Sequence, residues 1–194
     1  MESNLISKIF PKSNDDTLLK TDDEGVWSIT LPKEADQISE IILDSIGKNV
    51  TIVDCTAGLG GNVISFAKYF KKVIGIELNK NRFDLLENNI NVYNFTNVQL
   101  INDNCINFIS NESSLNNCDV LFFDPPWGGP DYKSQNKISI KLDDLNLTDI
   151  MNKIIPYNRP IFLKLPFNYD LNKFSNFDYK VHKIKNYLLV EVFN

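Results

Sequence analysis

The chain has little of what many catalytic chemistries require: in 194 residues it has one histidine and three cysteines, none of them at metal-ligand spacing. Cys55, Cys105 and Cys118 are odd in number and form no CxxC pair, so neither a disulfide framework nor a zinc site is indicated; reduced, partly buried thiols are expected. The sole histidine, His182, lies in the alternating pattern Val181-His182-Lys183-Ile184 of a terminal strand, which leaves no Ser-His-Asp or metal-assisted scheme with the residues it needs. No apolar stretch approaches the roughly 20 residues of a membrane span, and the N-terminal MESNLISKIFPKSNDD lacks a secretory pattern. A soluble, intracellular protein is expected. Basic residues are also short, with 20 Lys and Arg against 25 Asp and Glu, a net charge of −5 and a pI near 4.9. That balance argues against a broad basic surface gripping long nucleic acid through its phosphates, so a nucleic-acid substrate would be held at one end or at one nucleotide.

What is present fits one α/β domain: the hydrophobic share is 43% and the charged share 23%, both ordinary for a globular chain. Residues 1–24 are polar, with KSNDD and KTDDE clusters, and read as a flexible arm ahead of a main domain at 25–194. Leu31 to Ile46 repeats apolar residues at helical spacing and stops at Gly47, as an amphipathic helix does. Strand-like and helix-like segments then alternate: NVTIVDC, GNVISFAKYF, KVIGIEL, NKNRFDLLENNINVY, VQLIN, CINFIS and CDVLFFD. Such a rhythm, with nearly continuous apolar strands, predicts a parallel sheet covered by helices. A linker (133–141), a helix from Asp143 to Ile155, the strand RPIFLKL and a terminal hairpin, FDYKVHKIK with YLLVEVF, complete the expected order.

The first strand runs into Asp54-Cys55-Thr56-Ala57-Gly58-Leu59-Gly60-Gly61-Asn62, and the second ends in Glu77 about twenty residues later. The glycines let a ligand approach the strand-to-helix turn, and Glu77 can accept both hydroxyls of a ribose. A Gly-rich turn alone is compatible with a nicotinamide dinucleotide. S-adenosylmethionine is favoured by Asp54, an acid placed to meet a cationic ligand, by the lack of a full GxGxxG, and by Asp103 after the third strand, which can accept from an adenine amine or cap the following helix.

The run Phe122 to Tyr132, FFDPPWGGPDY, follows an apolar strand. Pro125 and Pro126 fix φ and lack N–H groups, so Asp124-Pro125-Pro126-Trp127 is stiff and offers acceptors to an exocyclic amine. Trp127 adds a stacking face, worth about 1–3 kcal/mol on a base. Together these residues read as a pocket for a flat, amino-bearing base.

The combination VDCTAGLGGN, GIEL and DPPWGGPDY resembles the trimethylguanosine synthases, cap-specific guanine-N2 RNA methyltransferases, and Glu24 to Thr30, EGVWSIT, is similar to that family's motif ahead of the methyltransferase domain. The resemblance covers roughly residues 24–194. It implies a class I, Rossmann-like methyltransferase fold with a mostly parallel seven-stranded sheet and a terminal antiparallel hairpin. It also implies S-adenosylmethionine as methyl donor, and 7-methylguanosine-capped RNA as substrate. Asp54, Glu77 and Asp103 would contact the cofactor, with Thr30, Thr56, Gly58, Gly60, Asn62 and Asp124 lining its site. Asp124, Pro125, Pro126 and Trp127 would carry catalysis, Trp127 by stacking on the 7-methylguanine. Asp131, Tyr132, Lys133 and Lys164 are candidates for further substrate contact; Lys133 and Lys164, with Lys141 and Arg159, are the cations considered for the triphosphate. Asp124 departs from the family, in which serine stands before the prolines. An acid there also suits a methyltransferase for an internal guanine N2 or adenine N6, so that reading stays open beside a non-catalytic cap-binding module. No metal, no membrane and a monomer are expected.

Overall fold

The computed structural model describes residues 2–193, and the chain divides into two compact units, Met1–Cys105 and Ile106–Asn194. The strands form a mostly parallel seven-stranded sheet with an antiparallel C-terminal hairpin.

In the first unit, α3 (Pro32–Ile46) starts with proline at its first position and ends at Gly47, whose N–H bonds the Leu43 carbonyl. Its apolar stripe, Ala35, Ile38 and Ile42, is fully buried. Strands β1 (Thr51–Asp54), β2 (Lys72–Glu77) and β3 (Val98–Asn102) alternate with α4 (Gly61–Tyr69) and α5 (Lys80–Tyr93). The parallel order β3-β2-β1, with Asp54 opposite Gly75 and Glu77 opposite Asn102, brings the carboxyl ends of all three strands to one edge.

The expected flexible arm is instead folded onto this unit. It contains α1 (Glu2–Ile9), and Ile9, Phe10 and Leu19 are buried. The Tyr93 hydroxyl donates to the Pro11 carbonyl, Asn89 exchanges hydrogen bonds with Lys20 N–H and C=O, and Arg82 pairs with Asp22 and Glu24. Its polar composition hid a few well-spaced apolar anchors and two carboxylates, Asp22 and Glu24, whose partner Arg82 lies on α5, about 60 residues away in sequence. The segment ends in α2 (Gly25–Ser28).

In the second unit, α6 (Cys105–Ile109), the last residue of the first unit leading into it, and α7 (Glu112–Asn116) precede β4 (Val120–Phe123). Beyond β4 lies the proline-rich run; where a plain linker and a helix from Asp143 were expected, a small hairpin, β5 (Lys141–Leu142) with β6 (Leu145–Asn146), turns at Asp143 with φ 51°. The helix α8 (Leu147–Ile154) starts four residues late because Asn146 and Asp149 form a reciprocal capping box. Strand β7 (Ile161–Pro166) lies parallel to β4, and β9 (Tyr187–Phe193) pairs antiparallel with both β7 and β8 (Asp178–Ile184).

Candidate functional site

At the carboxyl edge of β1–β3, two acids are held by backbone amides. Asp54 is fully buried and its Oδ1 accepts from Thr56 N–H at 3.1 Å. Glu77 is buried as well; its Oε2 accepts from Gly58 N–H at 2.9 Å and its Oε1 from Asn79 N–H at 2.8 Å. Burial pushes the Glu77 pKa above the ordinary carboxylate value, against the pull of those two amides and of Arg82. The turn between Asp54 and α4 is thus pinned to the acid that ends β2, so loop and acid are placed as one piece. Asp103, beyond β3, is exposed and accepts from Asn104 N–H.

The upstream motif closes on the same turn. Thr30 is buried and its Oγ1 accepts from Asn62 Nδ2 at 3.1 Å. Gly61 lies so close that a Cβ there would stand 2.7 Å from the Thr30 carbonyl oxygen. A side chain at Gly25 would strike Leu59 of the turn. Thr30, Thr56, Gly58, Gly60, Asn62, Asp54 and Glu77 therefore gather around one strand-to-helix turn, although they span residues 30 to 77. Leu78, not marked by the sequence pattern, is 62% exposed directly beyond Glu77; an apolar residue past the acid was the available clue.

At the carboxyl end of β4 the acid is held differently. Phe123 is in register with Leu163, so Asp124 continues β4 beside Lys164 of β7. Lys164 Nζ lies 2.7 Å from Asp124 Oδ2, and the two side chains are only 6% and 14% exposed. Lys164 was expected among cations for a triphosphate; buried in the strand and engaged with Asp124, it is not a surface cation. Its ammonium also sits 5.3 Å from the Trp127 ring centroid and 4.7 Å from that of Tyr187.

Trp127 is half-buried and meets Tyr132 edge-to-face, centroids 5.1 Å apart at 79°, and Tyr187 at 6.3 Å. Its buried Nε1 has no hydrogen-bond partner among the described residues. Pro125 is buried and Pro126 exposed. Tyr187 was not identified from sequence; its register opposite Pro166 in a strand pair, a feature visible only after pairing, brings it here. Asp131 and Lys133 are exposed, Lys133 lying 5.7 Å from the Tyr132 ring. Lys141 opens β5, and Arg159 donates to the Leu115 carbonyl at 3.3 Å, a structural role. His182 pairs with Glu191 at 3.0 Å on the terminal hairpin.

Cys55, Cys105 and Cys118 are buried and form no disulfide, and burial raises the Cys118 thiol to about 11. Among the described residues no helix is long and apolar enough to cross a membrane, and no group of three or more His, Cys, Asp or Glu is placed to hold a metal ion.

Comparison with known proteins places the chain in a family. The model of the RNA cap guanine-N2 methyltransferase family matches residues 49–193. The chain is 35% identical to an uncharacterized protein of Acanthamoeba polyphaga mimivirus, over 93% of this chain and 78% of that one. It is 32% identical to the trimethylguanosine synthase of Schizosaccharomyces pombe, over 79% of this chain and 68% of the yeast protein. Among solved structures, a precorrin-6y methyltransferase of Geobacter metallireducens superposes with a TM-score of 0.58 at 12% identity, covering 93% and 96% of the two chains, a likeness of fold alone. The chain belongs to the RNA cap guanine-N2 methyltransferase family.

Proposed function

We propose that this chain methylates the exocyclic N2 of a 7-methylguanosine RNA cap, with the base stacked on Trp127 and the methyl donor held by the turn after β1. The observation that carries this reading is the aromatic setting of Trp127 at the end of the stiff Asp124-Pro125-Pro126 run.

Two features of the first unit fit S-adenosylmethionine. Asn62 Oδ1 is buried with no hydrogen-bond partner among the described residues, an acceptor whose desolvation is costly unless a ligand donates to it. Gly58, at φ 55°, has nothing within 4 Å of where a Cβ would stand, so its backbone faces open space. In this reading the remaining acceptor capacity of Glu77 takes the ribose hydroxyls, Asp103 takes the adenine amine and Asp54 answers the positive charge of the ligand. Leu78 offers the apolar face for adenine, Thr30 steadies Asn62, and Thr56, Gly58 and Gly60 supply close backbone. S-adenosylmethionine, when bound, supplies a methyl group on a sulfonium.

The guanine amine is a weak nucleophile because its lone pair is shared with the ring. Catalysis is therefore mostly positioning. The Pro125 carbonyl and Asp124 orient the amine and stabilise the charge that appears on nitrogen as the methyl–sulfur bond breaks; the extra proton leaves afterwards. A 7-methylated guanine is cationic, and the carboxylate of Asp124 would attract it by charge. Lys164 offsets that charge, so discrimination in favour of 7-methylguanine falls on the π face of Trp127, a cation–π preference of about 1–2 kcal/mol. With Lys164 over one face of the indole, the base takes the other.

The test is to incubate the protein with labelled S-adenosylmethionine and m7GpppG and digest the product. Label on N2 of the 7-methylated guanosine, lost in Trp127→Ala but largely kept in Trp127→Tyr, is expected. Label on another atom, or undiminished label in Trp127→Ala, would remove the proposed role of the indole.

A further inference from the structure

Beside the Trp127 cluster, the second unit has a groove that the roles above leave unused. It is lined by Tyr132, Lys133, Phe167, Asn168 and Asn186 and has a volume of about 270 Å³, close to the lower end for small-molecule sites. Phe167 stands 54% exposed one residue beyond β7. A single exposed phenylalanine is unremarkable on its own. Here, however, it shares the groove with a second aromatic ring and a cation: Tyr132, which touches Trp127 edge-to-face, and Lys133, whose ammonium lies 5.7 Å from the Tyr132 ring.

The wall between them is built rather than loose. Asn168 Nδ2 donates to the Tyr132 and Gln135 carbonyls, both at 2.8 Å, and the Asn168 carbonyl accepts from Ile138 N–H at 3.1 Å. These bonds tie the segment after Trp127 to the turn that presents Phe167. Trp127, Tyr132, Lys133 and Phe167 therefore form one continuous aromatic and basic path.

We propose that this groove receives the nucleotide that follows the cap, its base stacked on Phe167 and the bridging triphosphate alongside Lys133. The inference rests on Trp127 being the platform for the cap guanine. Given that, the occupant follows from connectivity and charge: a guanosine on Trp127 is tied through three phosphates to one further nucleoside, and the path leading away offers a cation and then a π face. Stacking tolerates any base, so the groove reads the presence of a nucleotide rather than its identity. Asn186 at the rim supplies an amide for the sugar or a phosphate. The site gives the enzyme a means of preferring capped RNA over free cap nucleotides despite its net negative charge.

The experiment compares equilibrium binding of m7GpppA and m7GTP, which carry the same number of phosphates, to the full chain and to Phe167→Ala and Phe167→Trp. Phe167→Ala is expected to weaken m7GpppA roughly tenfold and m7GTP less than about twofold, with Phe167→Trp near wild type. Retained m7GTP binding reports that the variant is folded. Equal loss on both ligands, or no loss on m7GpppA, overturns the groove assignment while leaving Trp127 as cap platform. Failure of the wild-type chain to bind either ligand overturns the cap reading and the groove with it.

Discussion

The two units place an acid at the end of a parallel strand and then restrain it by opposite means. In the first, both Glu77 oxygens accept backbone N–H groups, from Gly58 and Asn79, so acid and loop are fixed by the course of the chain itself. In the second, Asp124 is held by the side chain of Lys164, which also fills space against Trp127 and Tyr187. Backbone amides survive almost any substitution nearby, whereas a lysine is one mutation from removal. The setting of the first acid is therefore robust to substitution, whereas that of the second depends on one side chain.

The sharpest way to break the comparison is Lys164→Met. Removing one partner of a buried ion pair leaves a charge without compensation, and a loss of about 3 kcal/mol in unfolding free energy by urea titration is expected. Adding Asp124→Ser should restore most of it. If Lys164→Met alone unfolds like wild type, the pair does not hold the second site together.

Next in size is Gly61→Ala. The new methyl would press on the Thr30 carbonyl at 2.7 Å and the Ile29 side chain at 2.8 Å. Backbone cannot yield as a side chain can, so about 2 kcal/mol of stability should go, and S-adenosylhomocysteine affinity by calorimetry should fall with it. Unchanged affinity would separate the upstream motif from the cofactor turn.

Trp127→Ala should cost about 1–3 kcal/mol in m7GTP binding while leaving S-adenosylhomocysteine affinity near wild type. A matched loss on both ligands would mean that the tryptophan supports the fold rather than the base.

The smallest effect is on pH dependence. Because burial raises the Glu77 pKa in the folded state, the native protein holds that proton to higher pH than the unfolded chain does. Its contribution to stability is therefore fully present below the ordinary glutamate value and is lost as pH rises through the raised one. Urea midpoints measured from about pH 4 upward should show this decline, and Glu77→Gln should flatten it. Replacing Asp124 by asparagine should leave the same decline in place.

Much of this was legible in the sequence because local chemistry and global fold agree. Apolar runs such as Val120 to Phe123 are buried at every position, as strands covered on both faces require, and the acids at 54, 77 and 124 sit where those runs stop. What was not legible depended on pairing. Lys164 reads as a surface cation until β7 is laid beside β4, and Tyr187 reads as a hairpin residue until it is set opposite Pro166. The segment before α2 failed for a different reason: its anchors Ile9, Phe10 and Leu19 are too few to outweigh polar neighbours in composition, and its carboxylates look solvated until Arg82 is brought up by α5.

The central claim is that a π face, rather than an uncompensated acid, selects the cationic cap base. The most direct measurement is the initial rate of methyl transfer to m7GpppG and to GpppG, side by side, under subsaturating conditions. A preference of about five- to thirtyfold for m7GpppG is expected from the cation–π difference of about 1–2 kcal/mol; equal rates on the two dinucleotides would contradict it.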